Sequence, residues 1–397
     1  MQGVIILGTD SPVSLAMIRE LAKHQVPLHG IGGKNSIGGA SRYLHSFEVR
    51  KSNQQALIKQ LKNVAQKQNA AFIMTVSEND IMLLNKEAKQ LLPLKGLVAK
   101  TAQFEKVVAK NEALEIAQKV GLKIPKTLQP VSNKVPEIEN WSFPVVLKWS
   151  NPNEVQAQLS LNNLPLDKAI FCFSRLEVEK YLSQFASIKK FPLIQEYCKG
   201  VGLGHFIFMH NGKALQTFQH LRLREWPPEG GTSTACKSIS KQQHKALLNQ
   251  SIQFLKTLEW QGVAMVEYRY DETSKQAVFM EINGRFWGSL PLAVACNADF
   301  VWLQYAVLGL NQLPKVEQPQ ENIQCRFMIP EIKRLFRIVL QPNRISDPLF
   351  KIKPFKEIIF FVGSFFNPKT CFFVFQWRDP KPFIMDMKNL LKKLIRR

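Results

Sequence analysis

The sequence has no Cys-x-x-Cys pair. Its six cysteines (Cys172, Cys198, Cys236, Cys296, Cys325 and Cys371) are widely scattered. This excludes the usual zinc spacings and a disulfide framework, and free thiols fit a reducing compartment. No segment holds about 18 unbroken apolar residues, so a membrane-spanning helix is not expected. The greasiest stretch, Ile358–Phe366 and Cys371–Phe375, is interrupted by Asn367-Pro368-Lys369-Thr370. The opening Met1-Gln2-Gly3-Val4 has no basic segment before a long apolar run, so a secretory leader is not expected and a cytoplasmic location is. A Gly-x-Gly-x-x-Gly turn is missing after the first apolar run, which removes the argument for a dinucleotide. No Ser-His-Asp or Cys-His set, internal repeat or low-complexity segment stands out.

Acidic residues are also scarce, with 31 Asp+Glu against 53 Lys+Arg and a net charge of +22. Residues 331–397 alone hold 15 Lys+Arg and 5 Asp+Glu, a difference of +10. Such a surface attracts nucleic acid, anionic lipid or acidic substrates. No nucleic-acid recognition motif accompanies it, so no specific nucleic-acid partner is expected. A chain of 397 residues has room for two or three domains.

What is present begins with alternation. Val4–Leu7, Pro27–Ile31 and Ala71–Val76 read as buried strands. Leu15–His24, Ala56–Gln68 and Asp80–Leu92 read as helices. This order predicts a parallel sheet with helices on both faces. Thr101–Val120 reads as one helix ended by Gly121. Phe143–Lys148, Leu193–Tyr197, Gly204–His210 and Ala214–His220 read as strands, with a hairpin turn at Asn211-Gly212. Lys241–Leu258 and Leu290–Leu310 read as helical.

Residues 262–289 are the most informative stretch. Two apolar runs there carry polar groups at positions that would otherwise be greasy. Alternate residues of a strand share a face, so Glu281, Asn283 and Arg285 are expected on one side, with Glu267 inside the preceding run. Two carboxylates, an amide oxygen and a guanidinium suit a Mg²⁺–nucleotide phosphate. The same alternation fits a hairpin with one wet face.

Three other pieces accompany this pair. Lys110 opens a helix that leads to Gly121-Leu122-Lys123-Ile124-Pro125. Lys148 ends a strand that follows Phe143-Pro144. An apolar strand ends in Gln195-Glu196-Tyr197-Cys198-Lys199-Gly200. In this order, and with Asp10, Arg19 and Ser41-Arg42-Tyr43 near the start, the chain resembles the ATP-grasp superfamily over roughly residues 1–310, and more narrowly its carboxylate–amine ligase branch.

The resemblance implies an α/β chain. A Rossmann-like pre-ATP-grasp domain would occupy residues 1–100. An ATP-grasp domain of two subdomains would occupy 101–310, and a basic, aromatic-rich C-terminal extension 311–397. It implies ATP with Mg²⁺ or Mn²⁺, two ions, as cofactors. Lys110 and Lys148 would bind nucleotide phosphates. Gln195, Glu196, Tyr197, Cys198 and Lys199 would form the hinge between the two subdomains, where backbone groups near Glu196 and Cys198 meet adenine. Glu267, Glu281 and Asn283 would hold the metal, and Arg285 would neutralise the γ-phosphate and the acyl-phosphate formed from it. The segment from His220 to Ser233 resembles the branch's loop over the phosphates and substrate carboxylate. Arg222 and Arg224 are expected to share a face there and clamp an anion; a basic strand followed by a surface turn fits the same residues. The chain departs from the branch at Gly200–His205, which has no acid for ribose hydroxyls.

The implied function is ATP-dependent ligation of a small-molecule carboxylate to an amine through an acyl-phosphate. A non-catalytic, membrane-associated ATP-binding scaffold of the same fold is the alternative. At the C-terminus, residues 382–397 carry Ile384, Met387, Leu391, Leu394 and Ile395 on one helical stripe. Lys388, Lys392, Lys393, Arg396 and Arg397 lie on or near the other side. Such a helix fits peripheral contact with an anionic inner membrane face. It also fits packing on the rest of the protein beside the aromatic residues that precede it.

Overall fold

The computed structural model describes every residue except 136, 137, 139, 168, 229, 346, 348, 349, 396 and 397. Residues 1–96 build a sheet in which every pairing is parallel. Its strand order is Ser46–Val49, Leu28–Gly32, Gly3–Leu7, Ala70–Thr75, Lys95–Gly96. Gly3–Leu7 is buried along its whole length, as expected of a parallel strand covered on both faces. Leu15, Ile18 and Leu21 of helix Pro12–Lys23 cover one face; Leu57, Leu61 and Val64 of helix Gln54–Gln68 cover the other. Ser11 caps the first helix with a capping box and Asn53 caps the second, each satisfying backbone N–H groups that the helix leaves open.

The predicted helix over Thr101–Val120 is two helices, Thr101–Val108 and Lys110–Lys119, separated by Ala109 in an extended conformation. The break lets Phe104 and Val107 of the first and Leu114 and Ala117 of the second face one core. It also puts Lys110 at a helix start.

A four-stranded antiparallel sheet follows, in the order Thr127–Leu128, Leu193–Glu196, Val145–Lys148, Ile170–Cys172. Its own core includes Val145, Leu147, Val178, Leu182 and Ile194. The third sheet has seven strands: Gln276–Asn283, Gly262–Asp271, Val201–His210, Lys213–Trp226, Thr232–Ile239, Gln324–Arg326, Thr370–Phe372. Asn211 and Gly212 both take positive φ (47° and 72°), which a two-residue hairpin turn of type I′ requires.

The strand Lys213–Trp226 runs six residues past the predicted end at His220, and Thr232–Ile239 pairs with it. The segment from His220 to Ser233, expected to be a loop over the phosphates and substrate carboxylate, is thus mostly a hairpin. The apolar stretch after Ser289 is also divided, into Leu290–Ala295, Phe300–Leu303 and the π-helical Gln304–Gly309. It ties the first sheet to the third: the buried Glu20 carboxylate accepts hydrogen bonds from the N–H groups of Val301 (2.7 Å) and Trp302 (2.8 Å).

Residues 311–397 add the strands Gln324–Arg326 and Thr370–Phe372 to the large sheet and then return to the N-terminal sheet. Asp379, fully buried, accepts from Arg19 Nε (3.1 Å), Ser41 Oγ (2.8 Å) and the Arg42 N–H (3.0 Å). Arg19 and Ser41-Arg42, which belong to the resemblance, hold this one carboxylate. The tail forms helix Lys381–Ile395. Phe383 and Met385 pack against the core of the N-terminal sheet, and Asn389 donates to the Asn35 carbonyl (2.8 Å). Arg396 and Arg397 lie outside the described residues. Among the described residues no helix is long and apolar enough to cross a membrane.

Asp379→Ala leaves the buried Arg19 guanidinium without its carboxylate. Breaking such a pair costs about 3–5 kcal/mol. Chemical denaturation should show a loss of that size, whereas Asp386→Ala, on the half-buried side of the tail helix, should lose far less.

Candidate functional site

Glu267 and Glu281 stand directly opposite each other on antiparallel strands, and Asn283 stands opposite Met265. Their strand neighbours Val266, Tyr268 and Ile282 are buried, so the hairpin has a core face and a polar face. Directly opposed like charges repel. Here cations from three other elements offset the repulsion. Arg222, on Lys213–Trp226, contacts Glu267 through Nη2 and Glu225 through Nη1 (2.9 Å). Arg269 holds the far side of Glu225 (3.1 Å). Lys110 comes from its helix start and Lys148 from the end of Val145–Lys148.

Burial opposes ionisation of Glu281, but Lys110, Lys148, the Asn283 amide and Arg222 together hold its carboxyl below the usual range. Asn283 Nδ2 donates to Glu281 Oε1 (3.2 Å). Burial, with Glu281 adding repulsion, holds Glu267 above the usual range against the pull of Arg222 and Arg269. Lys148 is pushed down to about 8, by burial first and then by the like charge of Lys110, while Glu281, Cys198 and Glu267 pull it up. Lys110 Nζ donates to the Trp149 carbonyl (3.3 Å).

The sequence-derived residues therefore fall into three groups. Lys110, Lys148, Glu267, Glu281, Asn283 and Arg222 converge. Gln195, Glu196, Tyr197 and Cys198 follow at the end of the small sheet's central strand. Gln195 is buried and donates to Thr127 Oγ1 (2.9 Å), so its side chain fixes the strand. Glu196 accepts from the Lys126 N–H (3.2 Å). The Tyr197 hydroxyl donates to Asp347 (3.4 Å). Burial, then Glu196, pushes the Cys198 thiol up to about 11, so at neutral pH it remains a protonated thiol.

The third group departs from expectation. Register shifts between Arg222, Arg224 and Glu225 turn Arg222 and Arg224 to different surroundings. Arg222 faces Glu267, whereas Arg224 pairs with Glu357 (2.6 Å) and lies over the Phe360 ring (3.2 Å). They do not share a face, so the two do not form one anion fork. Arg285 does not continue the Glu281–Asn283 row either, because the strand ends at Asn283. It reaches the N-terminal sheet instead, where Nε donates to Glu78 Oε1 (2.9 Å). There it borders a cleft of about 290 Å³ lined by Val76, Ser77, Glu78, Asn79 and Arg285.

Sequence reasoning missed Glu78, Glu225 and Arg269. Glu225 is the acid in Arg222-Leu223-Arg224-Glu225, and its three-residue spacing from Arg222 was a usable signal. Glu78 lies in the first turn of helix Glu78–Lys86, beyond the C-terminal end of a parallel strand, where open α/β sheets place ligands. That position was the signal.

A metal–phosphate ligand fits this arrangement. Two lysines repel each other beside two carboxylates, and an anion between the lysines with a cation between the carboxylates relieves both strains. No group of three His, Cys, Asp or Glu side chains is placed for a metal among the described residues. Two carboxylates and an amide oxygen suit Mg²⁺, which takes its remaining oxygens from phosphates and water.

Residues 233–307 match the model of the carbamoyl-phosphate synthase L chain, ATP binding domain. No curated protein sequence matches the chain. Among solved structures, it is similar to the biotin carboxylase domain of Hydrogenobacter thermophilus 2-oxoglutarate carboxylase, solved with MgADP, ADP and bicarbonate (TM-score 0.63, 12% identity, 82% of this chain and 73% of that one). It is similar to the L-amino acid ligase of Bacillus licheniformis (TM-score 0.57, 16% identity, 81% and 75%). It is also similar to an N5-carboxyaminoimidazole ribonucleotide synthetase solved as its ADP complex (TM-score 0.60, 12% identity, 81% and 80%).

The lowered Lys148 sets a stability test. Its folded value near 8 lies below the ordinary 10.5. The unfolded chain therefore holds more protons between pH 8 and 10.5, and stability attributable to this group rises with pH through that window. Below it the buried charge is a standing cost. In chemical denaturation Lys148→Met should be more stable than the parent at pH 7, by on the order of 3 kcal/mol, with the gap closing near pH 10.

Proposed function

We propose that this chain, which has the ATP-grasp fold, is an ATP-dependent ligase that activates a small-molecule carboxylate and joins it to an amine. The observation that carries the reading is the meeting of Lys110 and Lys148 with Glu267, Glu281 and Asn283, two residues before Arg285, which borders a cleft of its own. In the reaction a substrate carboxylate oxygen attacks the γ-phosphorus of ATP, and ADP leaves. The amine nitrogen then attacks the acyl carbon, phosphate leaves and the amine gives up a proton.

Each side chain has a part. Lys110 and Lys148 offset charge on the phosphates as point charges on flexible stems. Backbone groups around Glu196 and Cys198 meet adenine. Glu267, Glu281 and Asn283 would hold Mg²⁺, two ions, which would supply charge neutralisation at the transferring phosphoryl group. Arg285 sits where the N-terminal sheet meets the end of the Gln276–Asn283 strand, and orients the carboxylate. Arg222 pairs with Glu267 and opposes the effect of its burial. Catalysis of this kind is mostly positioning and electrostatic stabilisation, and it calls for no nucleophilic thiol. A protonated Cys198 agrees with that.

The neighbouring structures with ADP, bicarbonate or amino acid ligation in their names support an ATP-dependent reaction at a small carboxylate. The reading includes a cytoplasmic protein held peripherally at an inner membrane face. Exposed Ile384, Leu391 and Ile395 on the tail helix, with Lys388, Lys392 and Lys393 exposed beside them, support that part.

A phosphate-release screen of paired carboxylates and amines with Mg²⁺–ATP tests the reaction. With an active pair in hand, Glu281→Ala and Lys148→Ala should each abolish carboxylate-dependent ADP release while their circular dichroism and cooperative melting persist. Near-normal turnover in both would overturn the assignment.

A further inference from the structure

Two helices of the C-terminal segment are inside out. In Met328–Leu340, Ile332, Phe336, Val339 and Leu340 are exposed (46%, 51%, 37% and 64%), whereas the buried side consists of Glu331, Arg334 and Ile338. The apolar residues recur at the spacing that normally marks the core-facing stripe. In Pro354–Gly363 no residue is buried. Phe355, Ile359 and Val362, one turn apart, are 82%, 70% and 50% exposed, and Phe366 just beyond is 82% exposed. The two helices pack against one another, so their outward stripes lie on adjoining elements.

The inward side shows why they are held this way round. Arg326 pairs with Glu331 (2.7 Å), and Arg334 and Arg224 both pair with Glu357 (2.6 Å each). The Arg326 guanidinium also lies 4.7 Å from the ring centres of Phe361 and Phe365. Rolling either helix to bury its apolar stripe would break these ion pairs and leave charges buried and unpaired.

Charge identifies what covers the face. All five acids of residues 331–397 are withdrawn from the surface: Glu331, Asp347 and Asp379 are buried, Glu357 is paired inward and Asp386 is half-buried. Lys333, Lys351, Lys353, Lys356 and Lys369 are exposed on or between the same elements. An apolar stripe whose own segment, among the described residues of 331–397, exposes lysines and withdraws its acids complements an anionic lipid surface, with apolar side chains at the headgroup–acyl boundary and ammonium groups among phosphates. A second copy is a poor match, because a two-fold contact through this face would set lysines against lysines. Helices of 13 and 10 residues are too short to span a bilayer and suit lying in its surface.

We propose that the helix pair Met328–Leu340 and Pro354–Gly363 is an interfacial anchor for anionic membrane. The inference rests on the peripheral-membrane part of the proposed function, and moves its main contact from the tail helix to this pair. Asp386 on the tail lies in the field of Lys333, so the tail borders the anchor.

The full-length protein tests it by flotation with vesicles of phosphatidylcholine alone or phosphatidylcholine with phosphatidylglycerol. The parent should float with the mixed vesicles and not with phosphatidylcholine alone. Combined Phe336→Ser, Phe355→Ser and Ile359→Ser should weaken that binding at least about tenfold, with thermal melting unchanged because all three side chains are exposed. Combined Lys388→Gln, Lys392→Gln and Lys393→Gln should retain most of it. Loss in the tail variant alone would overturn the helix pair as anchor and leave the membrane reading standing. Failure of the parent to float would overturn both, and dimerisation lost in the serine variant would then assign the face to a second copy. None of these outcomes bears on ADP release, which is measured without vesicles.

Discussion

Two carboxylates facing each other across neighbouring strands are unstable without nearby positive charge. Glu267 and Glu281 occupy that arrangement at the polar face of the large sheet, and much of the architecture around them supplies the cations. Arg222 arrives from a third strand, Lys148 from the small sheet and Lys110 from a helix start that exists only because Ala109 breaks the preceding helix. No one of these elements is near the others in sequence. The polar cluster forms only when the small sheet and the large sheet are brought together. The lowered Lys148 pKa has burial as its first cause and the like charge of Lys110 as its second.

The N-terminal sheet was legible because parallel strands covered on both faces read as unbroken apolar runs, as Val4–Leu7 does. The carboxylate pair was legible for the opposite reason, since Glu267 and Glu281 interrupt such runs. The strand Thr232–Ile239 was not legible. Its sequence, Thr-Ser-Thr-Ala-Cys-Lys-Ser-Ile, lacks an apolar alternation. It is nevertheless mostly buried, in part because Ser238 exchanges hydrogen bonds with Ile323. The separation of Arg222 from Arg224 was equally hidden, because a bulge reassigns faces without any change in composition. Asp379 was invisible as a partner of Arg19, which lies 360 residues away; only the folded chain brings them together.

The C-terminal segment uses its few acids internally and exposes its lysines. Asp379 closes the chain onto the N-terminal sheet, and Glu331 and Glu357 fix the orientation of two helices. The excess positive charge of the whole sequence is thus partly a matter of where its acids are used. Arg224, on the strand that also carries Arg222, belongs to that network, so the outer helices and the carboxylate pair share one strand as their support.

Under the role proposed for Arg285, its pair with Glu78 bears on selectivity. A resident carboxylate already satisfies the guanidinium at the mouth of the cleft. An incoming acid that engages Arg285 does so by exchange, and Glu78 must find water or another donor. Local charge increases by one negative unit while the number of ion pairs stays constant. Simple anions therefore gain little there, and an acid is favoured if it also brings a donor group of its own to Glu78. A zwitterionic compound, with an ammonium near its carboxylate, meets both demands at once.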